Sequence, residues 1–280
     1  MTNVIQAHPV KSRTVAVMSA IRAATVLALW GPAYAGGSVP PDDLISALGQ
    51  TGYTAGVRAA EHVTAEKLGL PGPGSPGAGT LALLDLFRPA GPCELVLPVA
   101  GDVRGLPAGH RSVVAALDAG AAVVLRSRSA AVVPVDGHWR VFDLGEEPYP
   151  SHPAWTVHEA EFAIDRAIVS ATNRLRALDI ARDSRTVRDD LAAAMREAAH
   201  DSPHGMPRRA SALLAKVISL EALLQIAGRH QTAAVSRHEL GAIDDALRPL
   251  AEAVRQGRLA AVAECAPAPQ RVGGDGAAGF

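Results

Sequence analysis

Aromatic residues are scarce in this chain: Phe, Trp and Tyr together make up 4% of 280 residues. Its core must therefore be built from Ala, Leu, Val and Ile, and an alanine-rich core favours closely packed helices. Cysteine is scarcer still. Cys93 and Cys265 lie far apart, one in a predicted strand and one near a predicted tail. That excludes a disulfide framework and a cysteine zinc site, and it makes a reducing cytoplasm the expected compartment. Lysine is limited to Lys11, Lys67 and Lys216, with Arg supplying the remaining basic residues. The arginine excess fits the codon usage of a GC-rich genome. A formal net charge of −1 leaves no basic surplus, which argues against a general binder of nucleic acid or acidic membrane. Net charge does not exclude local arginine patches. Completed catalytic signatures are missing too: the chain has no G-x-S-x-G, no H-E-x-x-H and no paired C-x-x-C.

What is present is the composition of a folded protein, 48% hydrophobic and 20% charged. The length allows one large or two modest domains. Residues 1–13 read as disordered. Lys11, Arg13 and Arg22 then precede the apolar run Ala23–Trp30 and the triplet Ala33-Tyr34-Ala35, which imitates a secretory signal with its cleavage site. Arg22 interrupts the apolar run that starts at Val15, so an amphipathic helix from Thr14 to Trp30, docked on the main body, is the preferred reading. A secreted protein is the alternative if Ala33–Ala35 is cleaved. No other stretch is long enough to span a membrane, which needs about 20 apolar residues.

Ser38 to Leu44 reads as a helix start, with early prolines and Asp42 and Asp43 in the first turn. That helix should stop at Gly49, and a further helical stretch should cover Thr54 to Leu68. Residues 71–79 form a Gly/Pro loop. Gly72 and Gly77 have phosphate-loop spacing, but Ala78-Gly79 stand where Lys-Ser/Thr are required, which removes nucleotide binding. A short helix over Thr80–Arg88 precedes the clearest strand, Cys93–Val99. A helix over His110–Ala119 and a strand over Ala121–Arg126 follow. Ala131–Val135 and His138–Leu144 pair as a hairpin around Asp136-Gly137, a dipeptide that tolerates the positive φ of a tight turn. Pro134 lacks a donor and suggests an edge strand or an early strand end. Residues 14–150 therefore read as a lobe with a small mixed sheet of about four strands and helices on one face.

Residues 151–265 read as a helical bundle of about four helices, and residues 266–280 as a disordered tail. Thr156 and Glu159 form a capping box that opens the first bundle helix, and Ser236 and Glu239 repeat the pattern for the fourth, which contains Pro249. The second covers Val187–Ala199. The third, Arg208–Ala227, is apolar around most of its circumference and should be the buried centre, closed by Gly228. The fold class is α+β.

One loop carries the candidate site: Gly101-Asp102-Val103-Arg104-Gly105-Leu106-Pro107, at the end of the clearest strand. Arg104 could fork a carboxylate or phosphate, Asp102 could orient the ligand or accept its proton, and His110 could join from the next helix start. The competing reading is conformational: Asp102 caps backbone amides and Arg104 pairs with a surface acid. His200 and His204 are the one compact histidine pair, but a proline-containing loop does not set two rings on one helical face, and a third ligand is absent. His158 already belongs to a capping box. Arg208-Arg209 opens a helix too apolar to lie in a DNA groove. No metal, cofactor or nucleic acid is expected.

The stretch Leu95 to Pro107 (LVLPVAGDVRGLP) resembles a group of uncharacterised actinobacterial proteins. They have a similar strand and G-D-V-R-G-L-P loop, a Trp-rich helix and an S-x-x-D-D-like start upstream, and an alanine-rich helical C-terminal half. Matching pieces here are Trp30, Ser38 to Leu44, Leu95 to Pro107 and the region from Thr156 onward. The resemblance implies an intracellular protein whose N-terminal apolar helix belongs to the fold, and it implies no activity. The expectation is thus a cytoplasmic, non-catalytic interaction or regulatory protein that binds another protein through helical surfaces. The alternative is a small-ligand binder or enzyme with an anionic ligand at Asp102, Arg104 and His110.

Overall fold

The computed structural model describes residues 8–89, 91, 93–146, 148–151, 155–177, 192–196, 202–230 and 237–265. Its spine is α1, His8–Ala35, which starts before the expected Thr14 and carries Pro32 in its last turn. Helix α1 is not amphipathic. Ala23, Ala24, Val26 and Leu27 are all fully buried, with Leu29 and Trp30 nearly so, because the sheet, α2 and the last helix pack around it.

Helix α2, Pro41–Gly49, begins at a proline as expected. The next segment departs from the helical pattern: Val57–Ala59 is a strand, β1, and only His62–Leu68 is helical (α3). Tertiary pairing overrides local propensity here. β1 runs parallel to the last strand, and on its other side Val57 exchanges backbone hydrogen bonds with Ala78 at 2.8 and 2.9 Å. Gly56 admits that approach: its φ is +98°, and a Cβ there would lie 2.3 Å from the Ala78 carbonyl oxygen. Helix α4, Thr80–Asp85, leads into β2, Cys93–Val96. Then come α5 (Arg111–Ala119), β3 (Ala122–Leu125), β4 (Ala130–Val135) and β5 (His138–Asp143).

Among the described residues the sheet has five strands in the order β1-β5-β4-β3-β2, with only the β1–β5 pair parallel. Helices cover both of its faces rather than the expected one. Val123, Leu125, Val132, Trp139 and Val141 face the main core around α1. Ala122, Val124, Ala131, Val133 and Phe142 face the other way, onto Leu106 and Ala116 of α5. The hairpin turn is as read, with φ of 47° at Asp136 and 78° at Gly137. Pro134 lies in an internal strand. It sits opposite Trp139 in a pair without hydrogen bonds, and the β3–β4 ladder ends at Val132, so its missing donor falls beyond the neighbour's end.

Helix α6, Val157–Ala177, opens with the expected capping box. The Thr156 amide donates to Glu159 Oε2 at 2.8 Å, and the Glu159 amide donates to Thr156 Oγ1 at 3.2 Å. Helix α7, Arg208–His230, passes through Gly228 without stopping. It is not the centre of the bundle: Leu223 is 43% exposed, and Leu220 and Leu224 are half-buried. The centre is α8, Arg237–Ala263, which packs on both α6 and α7 and also reaches β2 and α1. Among the described residues two helical spans, Arg13–Ala35 and Arg208–Gly228, are long and apolar enough to cross a membrane, one more than the sequence reading allows. Residues 192–196 are helical. The rest of the expected second bundle helix, residues 1–7, Ser236 and the 266–280 tail lie outside the described residues.

Candidate functional site

The loop after β2 is built by its glycines and one apolar anchor. Val99 and Asp102 exchange two backbone hydrogen bonds of 2.9 Å, a tight reversal that puts Gly101 at φ +88°. Leu106, 3% exposed, pins the far side of the loop under α5. Gly105 leaves no room for a side chain, since a Cβ there would meet Val96 Cγ2 at 2.8 Å.

Within this frame Asp102 and Arg104 do come together. Arg104 donates from Nε and from a terminal nitrogen to the two Asp102 carboxylate oxygens, at 2.8 and 2.9 Å. A second guanidinium reaches the same carboxylate from the bundle: Arg255 of α8 donates to Asp102 Oδ2 at 2.7 Å and to the Leu97 carbonyl at 2.8 Å. Glu252, one turn back on α8, accepts from Arg255 at 2.7 and 2.9 Å and from Gln256 at 2.9 Å. The hydrogen bonds from Arg104, then those from Arg255, hold the Asp102 carboxyl well below the usual carboxylate range, against the opposing effect of partial burial. Burial works against the Arg255 charge, but the bonds to Glu252 and Asp102 outweigh it and push that guanidinium up. Such a carboxylate is a poor proton acceptor near neutral pH.

His110 has a different occupation. It is the N-cap of α5, its Nδ1 accepting from the Ser112 amide at 3.2 Å and bonded to the Ser112 hydroxyl at 2.8 Å. Arg111 pairs with Glu61 at 2.9 Å. Arg209 turns toward α6, where Glu161 accepts from it at 3.2 Å. His204 is described, but its sequence partner His200 is not. Among the described residues no group of three His, Cys, Asp or Glu side chains could hold a metal ion. The Cys93 thiol is buried and pushed far up by that burial, and the Cys265 thiol is pushed up to about 11 for the same reason. Neither is primed as a nucleophile.

Directly beside the loop lies a groove of about 650 Å³. Its walls come from α1 (Val17, Met18, Ile21), the segment Leu97–Ala100, the end of α5, α7 (Leu224) and α8 (Ala251, Val254). The lining is largely apolar, and its charged members are engaged. Arg255 is held as described. Glu221 of α7 pairs with Arg258 of α8, which also donates to Thr25 Oγ1 of α1 at 3.0 Å. Arg13 and Asp118 meet at the rim at 3.4 Å. The sequence reading missed Arg255 and Arg258, because charges spaced along a helix look like a solvated face. The one available signal was Gly257 between them. A glycine inside a helix is costly and marks close approach, and a Cβ there would meet Ile164 Cδ1 at 2.8 Å and Val217 Cγ2 at 2.9 Å.

Comparison with known proteins places these features in a family. Residues 24–169 match the model for the Rv1486c-like protein, N-terminal domain, and residues 158–259 match that for the Rv1486c-like protein, C-terminal domain. An uncharacterised protein of Mycobacterium tuberculosis, Rv1486c, is 30% identical over 281 residues, covering 84% of this chain and 94% of its own. An uncharacterised protein of Mycobacterium leprae is 28% identical over 288 residues, with the same two coverages of 84% and 94%. No solved structure matches the chain. The chain belongs to the Rv1486c-like family.

Proposed function

We propose that this member of the Rv1486c-like family is a non-catalytic regulatory protein of the cytoplasm that binds a small, mostly apolar molecule in the groove between its two lobes. The groove carries this reading. Its volume of about 650 Å³ falls in the range of small-molecule sites. Its walls come from both lobes, so an occupant would contact the sheet lobe and the bundle at once. The charges around it are tied into ion pairs and are poorly suited to proton transfer, which favours binding over catalysis. An anion at Arg104 would have to displace Asp102 from the same guanidinium fork. The test is saturable binding of the apolar dye Nile red to the folded chain. Ala251→Trp, which fills the groove from an exposed position, should weaken that binding about tenfold without lowering Tm. Equal binding to the variant, or none to the native protein, rejects the reading.

A second reading, recognition of a protein partner through a helical surface, is favoured by the outer face of α6. Phe162 and Val169, seven apart on α6, are each 60% exposed, and Trp155, just before the helix, is 38% exposed. A partner recovered by crosslinked pull-down should be lost on Phe162→Glu with Val169→Glu. Its retention by that variant would end this reading.

Cytoplasmic residence is supported by the place of α1 in the core, since cleavage after Ala35 would remove Ala23 to Trp30 from the centre of the fold. Mass spectrometry of the native N-terminus checks it, and a mature chain beginning at Gly36 would overturn it.

A further inference from the structure

Away from the groove, at the β1 edge of the sheet, two arginines stand side by side. Arg58 and Arg140 are register partners in the parallel β1–β5 pair, so both side chains leave the same face of the sheet. Like charges directly opposite on neighbouring strands repel. Carboxylates hold most of the buried or half-buried arginines near the groove, but here the described residues supply no carboxylate within ion-pair distance of either guanidinium. The neighbour on that face is His138, two residues before Arg140. Arg58 donates to His138 Nε2 at 2.7 Å. A guanidinium cannot accept, so Nε2 must present its lone pair, and the proton sits on Nδ1, facing the Asp136 carbonyl at 3.3 Å. The ring is thus held neutral.

The scaffold under these groups is rigid. Trp139, between His138 and Arg140, is 1% exposed, and its Nε1 donates to the Tyr53 carbonyl at 3.2 Å. Its amide donates to the Gly56 carbonyl at 2.9 Å, and the Ala55 amide donates to the Gly137 carbonyl at 3.0 Å. These bonds fix the register that sets the arginines together. Arg58, His138 and Arg140 are all half-buried, so the guanidinium stems are packed while their heads keep access to solvent.

We propose that Arg58 and Arg140, with His138 beside them, form a binding site for a phosphate group. Two forked donors on adjacent strands match the several oxygens of a phosphate, and an anion between them relieves the repulsion the register imposes. The charged groups acting on the His138 ring are Arg58 and Arg140, which oppose its protonation, and Asp136 of the turn, which favours it. Burial is the largest influence and lowers its pKa further. A phosphate seated on the arginines would offset their repulsion and let the imidazole protonate at higher pH.

The experiment follows the His138 ring protons by NMR in the full chain, assigned with His138→Gln. It compares inorganic phosphate with chloride at matched ionic strength. The expected result is a saturable phosphate-dependent rise in the His138 pKa, with no comparable effect of chloride. Arg140→Gln, which leaves the Arg58–His138 bond in place, should weaken phosphate binding about tenfold without lowering Tm. An identical His138 titration in phosphate and chloride overturns the proposal, and this requires no variant to fold. A phosphate effect that persists in full in Arg140→Gln overturns it as well.

Discussion

Arg255 on the last helix donates to the carboxylate of Asp102, 153 residues earlier in the chain, at 2.7 Å. The bond ties the helical bundle to the loop that ends β2. Arg255 also holds the Leu97 carbonyl, so it grips the chain just before the Val99–Asp102 reversal as well as at Asp102. The side-chain exposures are 11% for Arg255 and 16% for Asp102, against 52% for Arg104. The Arg255–Asp102 bond is therefore better shielded than the Arg104–Asp102 pair.

Arg255→Leu is expected to destabilise the protein by about 2–4 kcal/mol, because it removes one partner of a mostly buried pair and leaves the Leu97 carbonyl unpaired. Arg104→Ala should cost much less, since that side chain is largely in water. Urea unfolding of the two variants checks the order. Equal losses would show that the Arg255 contact has no special weight.

Asp102 also gives a pH signature. Its folded-state pKa is depressed, so its contribution to stability is complete above the unfolded value of about 3.9 and is lost as pH falls through the folded value. The stability gap between native protein and Asp102→Asn should therefore be flat from neutral pH to about pH 5 and shrink below about pH 4. Urea midpoints measured from neutral pH to pH 3 test this. A gap that widens on acidification contradicts the pairing.

A second tie between elements is more deeply buried. Arg258 is 3% exposed and its partner Glu221 13%. Glu221→Ala should cost about 3–5 kcal/mol by stranding the guanidinium, whereas replacing both residues by Met should recover most of that loss. Chemical denaturation of the double-mutant cycle measures it. Equal stability of the single and double variants would refute a charge-stranding mechanism.

Packing at Gly31 makes a prediction of opposite sign in two backgrounds. A Cβ on Gly31 would lie 2.2 Å from the Phe87 ring, which is 4% exposed. Gly31→Ala should lower stability by about 1–3 kcal/mol despite a better helix propensity. In a Phe87→Leu background, with the ring gone, the same change should become stabilising. Thermal unfolding of the four proteins decides between the two signs.

Much of the fold could be read locally. The hairpin at Asp136-Gly137 and the capping box at Thr156 and Glu159 are short-range devices, in which a few neighbouring residues contain the whole explanation. β1 could not be read this way. Val57 to Ala59 is too short for a period to emerge, and its strand character depends on β5 and on Ala78, neither of which is near in sequence. The place of α7 is hidden from the sequence for a related reason. An apolar circumference says that a helix can be buried all round, but the packing of α6 and α7 on α8 determines which helix is central.

The candidate loop divides in the same manner. Its glycines, the reversal and the closeness of Asp102 to Arg104 follow from residues two or three apart. The groove beside it, the Arg255 bond and the Arg58–Arg140 pair do not, because each joins side chains from distant elements. By itself, the sequence determined the composition of the core, the α+β class, the turns and caps, and the loop worth attention. Tertiary structure alone decided which charges that loop spends on pairing and which arginines stand together. Ion pairing and strand register depend on distances in space that no local pattern encodes.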